Sequence, residues 1–239
     1  WSYFSKDGSV AEEITFSGGK RDGRSTVWLT PEEKQEEKFY KNGKLDGPST
    51  FWENGYRSTM TTYKSDSPEG PWVIWFSNSD QIKEQGFHQK GIREGLTTYY
   101  YEDGTMQREG FFKEGLPDGM WTYWNKKGEK DFDFDFGSGL QHISLEDLVE
   151  RESTFYKLGE DTPFTGIITQ ENPEADYLFL GRTKGGKKDG QWVKWFPSGK
   201  DVPEIILVDV PDPEPVLPWS GGKQEQGGYK DGEKHGQWT

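Results

Sequence analysis

The sequence contains no cysteine among its 239 residues. Disulfide bonds and thiolate metal sites are therefore excluded, and the redox state of the compartment cannot be read, because a cysteine-free protein suits either condition. Long apolar runs are also lacking, since no segment approaches the roughly 20 apolar residues of a membrane-spanning helix. The longest apolar stretch, at residues 204–210, has the length of a strand.

Basic residues are outnumbered by acidic ones. The sequence has 29 Lys and Arg against 42 Asp and Glu, which gives a formal net charge of −13 and a pI near 4.8. Nucleic-acid binding and attachment to anionic lipid both depend on clustered cations. Nucleic acid is therefore not expected as a partner, and an anionic membrane is disfavoured.

Aliphatic residues are scarce as well. Hydrophobic residues make up 30% of the sequence and aromatic residues 15%, so much of the apolar content is Trp, Tyr and Phe. This composition suits a thin layer better than a thick core. The 31 glycines fit a protein with many turns, and they show no collagen-like period of three.

An acidic residue followed by glycine recurs along the sequence at nearly constant spacing. The glycines of five successive steps lie 24, 23, 25 and 24 residues apart, and later glycines keep the register at one or two periods: Gly23, Gly47, Gly70, Gly95, Gly119, Gly166, Gly190 and Gly236. A period of this length is the sign of a repeat architecture.

Turn chemistry defines the repeat unit. Asn42-Gly43 and Asn54-Gly55 are strong hairpin signals, because both residue types accept the positive φ angles of tight turns. One unit then contains two short strands and two turns. The predicted fold is all-β, an elongated single-layer antiparallel sheet built from repeated β-hairpins of about 23–25 residues.

Aromatic residues recur at fixed distances from the step glycine. Position plus five is aromatic in every readable copy and is predicted to form the internal stack. Rings at plus two, plus four and nearby would then form an exposed or concave stripe for a partner, because Tyr and Trp are favoured at interface hot spots. Packing of both rows is the alternative. The predicted partner-binding residues are Tyr99, Tyr101, Trp121, Tyr123 and Trp192.

The unit reads aromatic, Lys, x, Gly, x, x, acidic, Gly, x, Trp, as in "FYKNGKLDG" and "FFKEGLPDG". This pattern resembles the MORN repeat and covers roughly two thirds of the sequence. It is closest to the bacterial variant labelled MORN-type antitoxin component, and "LVERESTFYKLGEDTPFTG" looks like the unit that opens such arrays. The resemblance implies a twisted single-layer sheet used for protein contacts. Some eukaryotic members associate with membranes, a use from which the acidic charge departs.

The repeat register divides the sequence into five segments. Residues 1–136 are a first array, 137–152 a degenerate connection, 153–200 a second array, 201–226 a Pro-rich strand and spacer, and 227–239 the start of a further repeat. In the connection, "SLEDLVER" is either a short helix capped by Ser144 or a strand fragment. Residues 1–8 match residues 121–128 within a unit, so we expect the natural protein to continue beyond both ends.

The sequence offers little for catalysis. In "DFDFDF", alternation places Asp131, Asp133 and Asp135 on a wet face opposite a phenylalanine stripe, an arrangement favoured over a calcium site. The three histidines lie in different copies, and no nucleotide-binding or hydrolase motif is present. No cofactor, metal site or enzymatic activity is predicted.

The predicted function is a repeat scaffold or protein-binding module that is one part of a larger complex. One alternative is an antitoxin or immunity protein that inhibits a partner toxin. Another is an envelope carbohydrate-binding module that would use the aromatic stripe as a stacking platform. The compartment cannot be read directly, and a bacterial envelope or surface is favoured over the cytoplasm.

Overall fold

The computed structural model describes residues 1–172, 177–196, 222–230 and 233–235. Within these residues the protein is almost entirely β, with twenty-one strands and one turn of 3₁₀ helix. The predicted all-β fold of consecutive hairpin strands is confirmed. The protein divides into two compact units, residues 1–117 and residues 118–239, and each is described by itself.

The first unit is an antiparallel sheet whose strands follow one another in sequence order, except that the short β9 pairs beside β8. Its strands are β1 (Ser2–Phe4), β2 (Val10–Ser17), β3 (Lys20–Trp28), β4 (Lys34–Lys41), β5 (Lys44–Glu53), β6 (Tyr56–Lys64), β7 (Ser67–Trp75), β8 (Ile82–Gln89), β9 (Ile92–Arg93), β10 (Gly95–Tyr100) and β11 (Met106–Lys113).

The second unit contains a β12–β13 hairpin, a six-stranded sheet in the order β14-β17-β18-β19-β20-β21, and a β15–β16 hairpin. The pairing of β14 with β17 is parallel. Its strands are β12 (Leu116–Trp124, which begins in the first unit), β13 (Lys130–Asp135), β14 (His142–Ser144), β15 (Leu148–Arg151), β16 (Thr154–Lys157), β17 (Gly166–Asn172), β18 (Tyr177–Lys184), β19 (Lys187–Phe196), β20 (Gly222–Lys230) and β21 (Glu233–His235).

Both predicted Asn-Gly turns are present. Asn42 and Gly43 have φ of 53° and 87° and join β4 to β5, whereas Asn54 and Gly55 have φ of 52° and 80° and join β5 to β6. Positive φ at both residues of a two-residue connection is the geometry that suits the twist of antiparallel strands. The two turns therefore lie at opposite ends of β5.

The acidic-Gly step forms a bulge inside a strand and is not itself the turn. Residues 46–48 of β5 lie opposite the single residue Phe39 of β4. Gly47 has φ of 126°, and a Cβ there would lie 2.9 Å from the Cβ of Phe39. Glycine is needed here both for the backbone angle and for the close approach of the neighbouring strand.

The acidic side chain of the step holds the turn of the following repeat. Carboxylate oxygens of Asp22, Glu69 and Glu94 accept hydrogen bonds from the backbone N–H groups of Asn42 (3.0 Å), Lys90 (2.7 Å) and Glu114 (2.9 Å). A backbone bond from the next turn residue runs beside each, such as Gly43 N–H to the Arg21 carbonyl at 2.7 Å. We call this series the turn ladder. It links these three acidic-Gly steps to turns that lie 20 or 21 residues later in the sequence.

The degenerate copy keeps this arrangement with a hydroxyl. Thr165 Oγ1 accepts from Gly185 N–H at 2.8 Å, and the Phe164 carbonyl accepts from Gly186 N–H at 2.8 Å. The register predicted through "TPFTG" therefore corresponds to the same hydrogen bonds in the second unit.

The burial of the two aromatic rows differs from the prediction. At plus two, Trp72, Trp121 and Trp192 are 2%, 3% and 6% exposed. At plus five, Trp75 is buried, but Trp28 and Trp124 are only half-buried. The prediction that plus five supplies the internal stack therefore holds for Trp75 but not for Trp28 and Trp124. The most deeply buried row is plus two, where Trp72, for example, is covered by Arg93 and His88.

Two local predictions in the second unit agree with the structure. Phe132, Phe134 and Phe136 are buried, whereas Asp135 is exposed and Asp131 and Asp133 are half-buried, so the phenylalanine stripe packs and the carboxylates are less deeply covered. "SLEDLVER" contains both predicted alternatives in succession. Ser144 caps the 3₁₀ turn Leu145–Asp147, and β15 follows it.

The predicted boundaries near the end of the sequence can be compared with the structure only in part. The predicted boundary between residues 226 and 227 lies inside β20. Most of the Pro-rich segment, including the predicted strand at residues 204–210, lies outside the described residues.

Candidate partner-binding surface

Four of the five predicted partner-binding residues are buried. Tyr101, Trp121, Tyr123 and Trp192 are 5%, 3%, 1% and 6% exposed, and Tyr99 is half-buried. The exposed aromatic stripe is therefore not found at these four positions. Their burial matches the alternative in which both rows pack.

The second unit uses its aromatic residues as core. Tyr123 stacks on Phe132 with ring centroids 4.4 Å apart, and Trp121 meets Phe136 edge-on at 5.8 Å. Trp192 lies 5.8 Å from Phe155 and donates from Nε1 to the Arg182 carbonyl at 3.0 Å. Aromatic pairs in these geometries add stabilisation beyond the area they bury. The role seen for these rings is packing.

Tyr99 belongs to a cluster centred on an arginine in the first unit. Arg93 donates from Nη1 to the Tyr99 hydroxyl at 2.9 Å and pairs with Glu84 at 3.3 Å. Its guanidinium carbon lies 4.4 Å from the Trp72 ring centroid and 5.6 Å from that of Phe112. Arginine between aromatic faces gains cation–π attraction while its charge is neutralised by the carboxylate.

Part of this cluster, the arginine with its glutamate and the ring 19 residues later, occurs earlier in the array. Arg21 stands two residues before its step glycine, as Arg93 does, and pairs with Glu12 at 3.8 Å. It also donates to the Tyr40 hydroxyl at 3.2 Å and lies 5.3 Å from that ring. Because the arrangement repeats in equivalent positions, it is a feature of the repeat architecture and not a single catalytic constellation.

Two histidines occupy aromatic packing positions. His88 takes the place that Tyr40 and Phe112 fill in other copies, and its ring lies 5.6 Å from Trp72. Burial, with a smaller effect of Arg93, lowers the pKa of His88 below its ordinary 6.5. His142 stacks on Phe136 at 5.5 Å, and burial lowers its pKa, with Asp118 opposing the shift. Both pKa shifts favour the neutral imidazole over its charged form.

An exposed apolar surface lies on β7, β8, β10 and β11 of the first unit. Pro71 pairs across the ladder with Phe87, and Leu96 pairs with Phe111. Phe87, Leu96 and Phe111 are 44%, 47% and 57% exposed. We call these four residues the apolar patch. It presents large hydrophobic side chains to solvent from four neighbouring strands.

A shallow groove runs along this patch. It has a volume of about 530 Å³, and its lining includes Pro71, Phe87 and Leu96, with Val73, Gln85 and Thr98 forming a row beside them. Gln85 is fixed by a hydrogen bond from its Nε2 to the Tyr100 hydroxyl at 2.8 Å. The groove thus combines apolar walls with one held amide.

Sequence reasoning missed the apolar patch because it followed the Trp and Tyr residues of the repeat. A signal was present in "GFHQKG" and "GFFKEG", where two large ring residues are adjacent. Neighbouring residues of a strand point to opposite faces. The second ring of each doublet packs on the Arg93 side, so the first must lie on the other face.

The described residues were also searched for metal sites and for membrane-spanning helices. No group of three or more His, Asp or Glu side chains is arranged to hold a metal ion there. None of the helical structure in the described part of the protein is long and apolar enough to cross a membrane.

A comparison with models of known protein families finds no match for this sequence, and neither does a comparison with curated proteins. The resemblance to the MORN repeat therefore stays a prediction that rests on the residues of the repeat.

Proposed function

We propose that this protein is a non-enzymatic, MORN-like repeat module that binds another protein through the apolar patch, as one part of a larger complex. The observation that carries the proposal is the exposure of Phe87, Leu96 and Phe111 side by side on one sheet. A contiguous apolar surface on a soluble protein marks an interaction site more often than a structural accident.

The packing beneath the patch supports this use. On the reverse face of the same strands, the Arg93 cluster and the buried Trp72 hold the sheet in place. A partner would therefore meet side chains whose backbone is already ordered, which lowers the entropy cost of binding. Aromatic residues, Phe among them, are enriched at the cores of protein–protein interfaces.

The same geometry favours binding over catalysis. His88 and His142 are stacked against aromatic rings, and the Arg93 and Arg21 ion pairs repeat with the architecture. These groups are used in packing between strands. The carbohydrate-binding alternative relied on the aromatic stripe, and the burial of its rings gives that alternative no support.

Disrupting the patch should weaken partner capture while the fold is retained. The variant is Leu96→Ser combined with Phe111→Ser, and Leu29→Ser is a matched control because Leu29 is 66% exposed away from the patch. Loss of two hot-spot side chains is expected to weaken binding at least about tenfold. Affinity capture from native cell extract, followed by quantitative mass spectrometry, measures the loss. The variants and the wild type are compared only where their circular dichroism spectra agree, so that each is folded.

Retention of every captured protein by the patch variant, or equal loss in Leu29→Ser, would contradict the proposal. Analytical ultracentrifugation of the wild type tests the remaining possibility that the patch covers a second copy. The identity of the captured protein separates a scaffold role from an antitoxin role, because a toxin would be the partner only in the latter.

A further inference from the structure

Two chemically identical dipeptides lie in different surroundings. Asn42-Gly43 and Asn54-Gly55 both form exposed two-residue turns with positive φ at each residue, and they lie at opposite ends of β5. An asparagine followed by glycine is prone to spontaneous deamidation, because glycine has no side chain to obstruct attack by its own backbone nitrogen. The two turns therefore form a natural comparison.

The chemistry needs only water. The backbone nitrogen of the glycine loses its proton and attacks the amide carbon of the asparagine side chain. A new C–N bond closes a five-membered succinimide, while the bond from that carbon to the asparagine Nδ2 breaks and ammonia leaves. Water then opens the ring at either carbonyl and yields aspartate or isoaspartate. One water is consumed, one ammonia is released, and nothing is oxidised or reduced.

The turn ladder protects the first dipeptide. Gly43 N–H, which contains the attacking nitrogen, donates to the Arg21 carbonyl at 2.7 Å. Asn42 N–H donates to Asp22 Oδ2 at 3.0 Å, so the backbone on both sides of the reacting side chain is fixed. Attack requires the nitrogen to lose this proton and the turn to rotate, and both hydrogen bonds oppose these changes.

The second dipeptide lies outside the ladder. Among the residues that the structure describes, Gly55 N–H has no hydrogen-bond acceptor. Asn54 is held only through its side chain, with Nδ2 donating to Asn78 Oδ1 at 2.9 Å. This hydrogen bond is made by Nδ2, the nitrogen that leaves as ammonia. It does not restrain the backbone nitrogen of Gly55, which attacks.

We infer that Asn54 is a site of spontaneous conversion to aspartate and isoaspartate in the folded protein, and that Asn42 is protected by the turn ladder. Isoaspartate adds one backbone methylene to a two-residue turn and places a carboxylate where an amide donated to Asn78. Conversion at Asn54 therefore loosens the β5–β6 connection.

The test follows conversion in the intact folded protein at mildly alkaline pH by peptide mass mapping that separates aspartate from isoaspartate. We expect conversion at Asn54 to be about tenfold faster than at Asn42, a ratio that corresponds to about 1.4 kcal/mol. In denaturant the two rates should become similar, because both dipeptides are then solvated alike. Asp22→Ala should accelerate conversion at Asn42 and leave Asn54 unchanged.

Equal rates at the two asparagines in the folded protein, or faster conversion at Asn42, would overturn the inference. So would a difference between the two sites that persists in denaturant, since it would show that the flanking sequence and not the fold sets the rates.

Discussion

At the residue scale, the same repeat position is filled by side chains with different titration behaviour. Tyr40, Phe112 and His88 occupy equivalent places, but only the histidine can become charged near neutral pH. Burial beside the Trp72 ring and the nearby Arg93 both favour its neutral form. A substitution tolerated for packing thus introduces a pH dependence.

The stability of the protein should fall as the pH is lowered from about 7.5 to 5.5. The pKa of His88 is lowered in the folded state, so below about pH 6.5 the unfolded state binds more protons than the native one and is favoured. His88→Phe should reduce this loss, because phenylalanine fills the position in another copy. Urea unfolding of the wild type and the variant at these two pH values measures the loss of stability.

The histidine effect is separated from carboxylate titration by working above the ordinary pKa values of Asp and Glu, about 3.9 and 4.3. Asp7, for example, has its pKa lowered to about 2 by hydrogen bonds from Ser5 and Ser9. His142→Phe tests the same effect in the second unit, where burial lowers the pKa of His142, and it should also reduce the loss of stability at low pH. An unchanged pH slope in His88→Phe would show that the histidine is not the source.

Trp121 and Trp124 lie three residues apart and are expected to differ in their contribution to stability. Trp121 is 3% exposed, so Trp121→Ala should cost about 3 to 5 kcal/mol, as large core aromatics do. Trp124 is half-buried, so Trp124→Ala should cost clearly less. Thermal and chemical unfolding of the two variants provide the comparison. A larger loss for Trp124→Ala would mean that plus five is the main packing row after all.

At the element scale, the turn ladder couples three steps of the first unit, at Asp22, Glu69 and Glu94, to the turn of the next hairpin. Each rung joins an acidic side chain in the bulge of one strand to a backbone donor in the following turn. This contact lies between repeats, and it adds to the strand pairing. Nearest-neighbour contacts of this kind are the main source of stability in repeat proteins.

Removing one rung should have a modest, specific cost. Glu69→Ala deletes the acceptor for Lys90 N–H at 2.7 Å and should lower the free energy of unfolding by about 0.5 to 1.5 kcal/mol. Glu69→Gln keeps a carbonyl oxygen and should recover most of the loss. Glu102→Ala, at an exposed loop residue, is the control. Equal stability of the alanine and glutamine variants would argue against a hydrogen-bonding role.

At the scale of the whole molecule, the two faces of the sheet in the first unit differ in how far their side chains are covered. In the first unit, the side carrying Trp72 and Arg93 is closed by ring and guanidinium contacts. The opposite side carries the apolar patch. A net charge of −13 opposes non-specific association between copies through like-charge repulsion.

The sequence by itself determined the strands, turns and repeat. Asn-Gly turns, the two-residue alternation in "DFDFDF" and the 23 to 25 residue period are local properties, because they depend on φ preferences and side-chain direction within a few residues. The all-β fold followed from these alone. The sequence also indicated Ser144 as the cap of a short helix, with a strand fragment as the alternative.

Only the tertiary structure decided which rings are buried and which are exposed. Alternation assigns Trp121 and Trp124 to opposite faces, but it does not say which face neighbouring strands will cover. Arg93 comes close to Trp72 and Phe112 only after strands far apart in the sequence have paired. The apolar patch likewise unites residues from four strands. The turn ladder joins successive repeats and holds the turn at Asn42 but not the turn at Asn54. Neither could be read from the sequence, because burial and hydrogen bonding depend on neighbours in space.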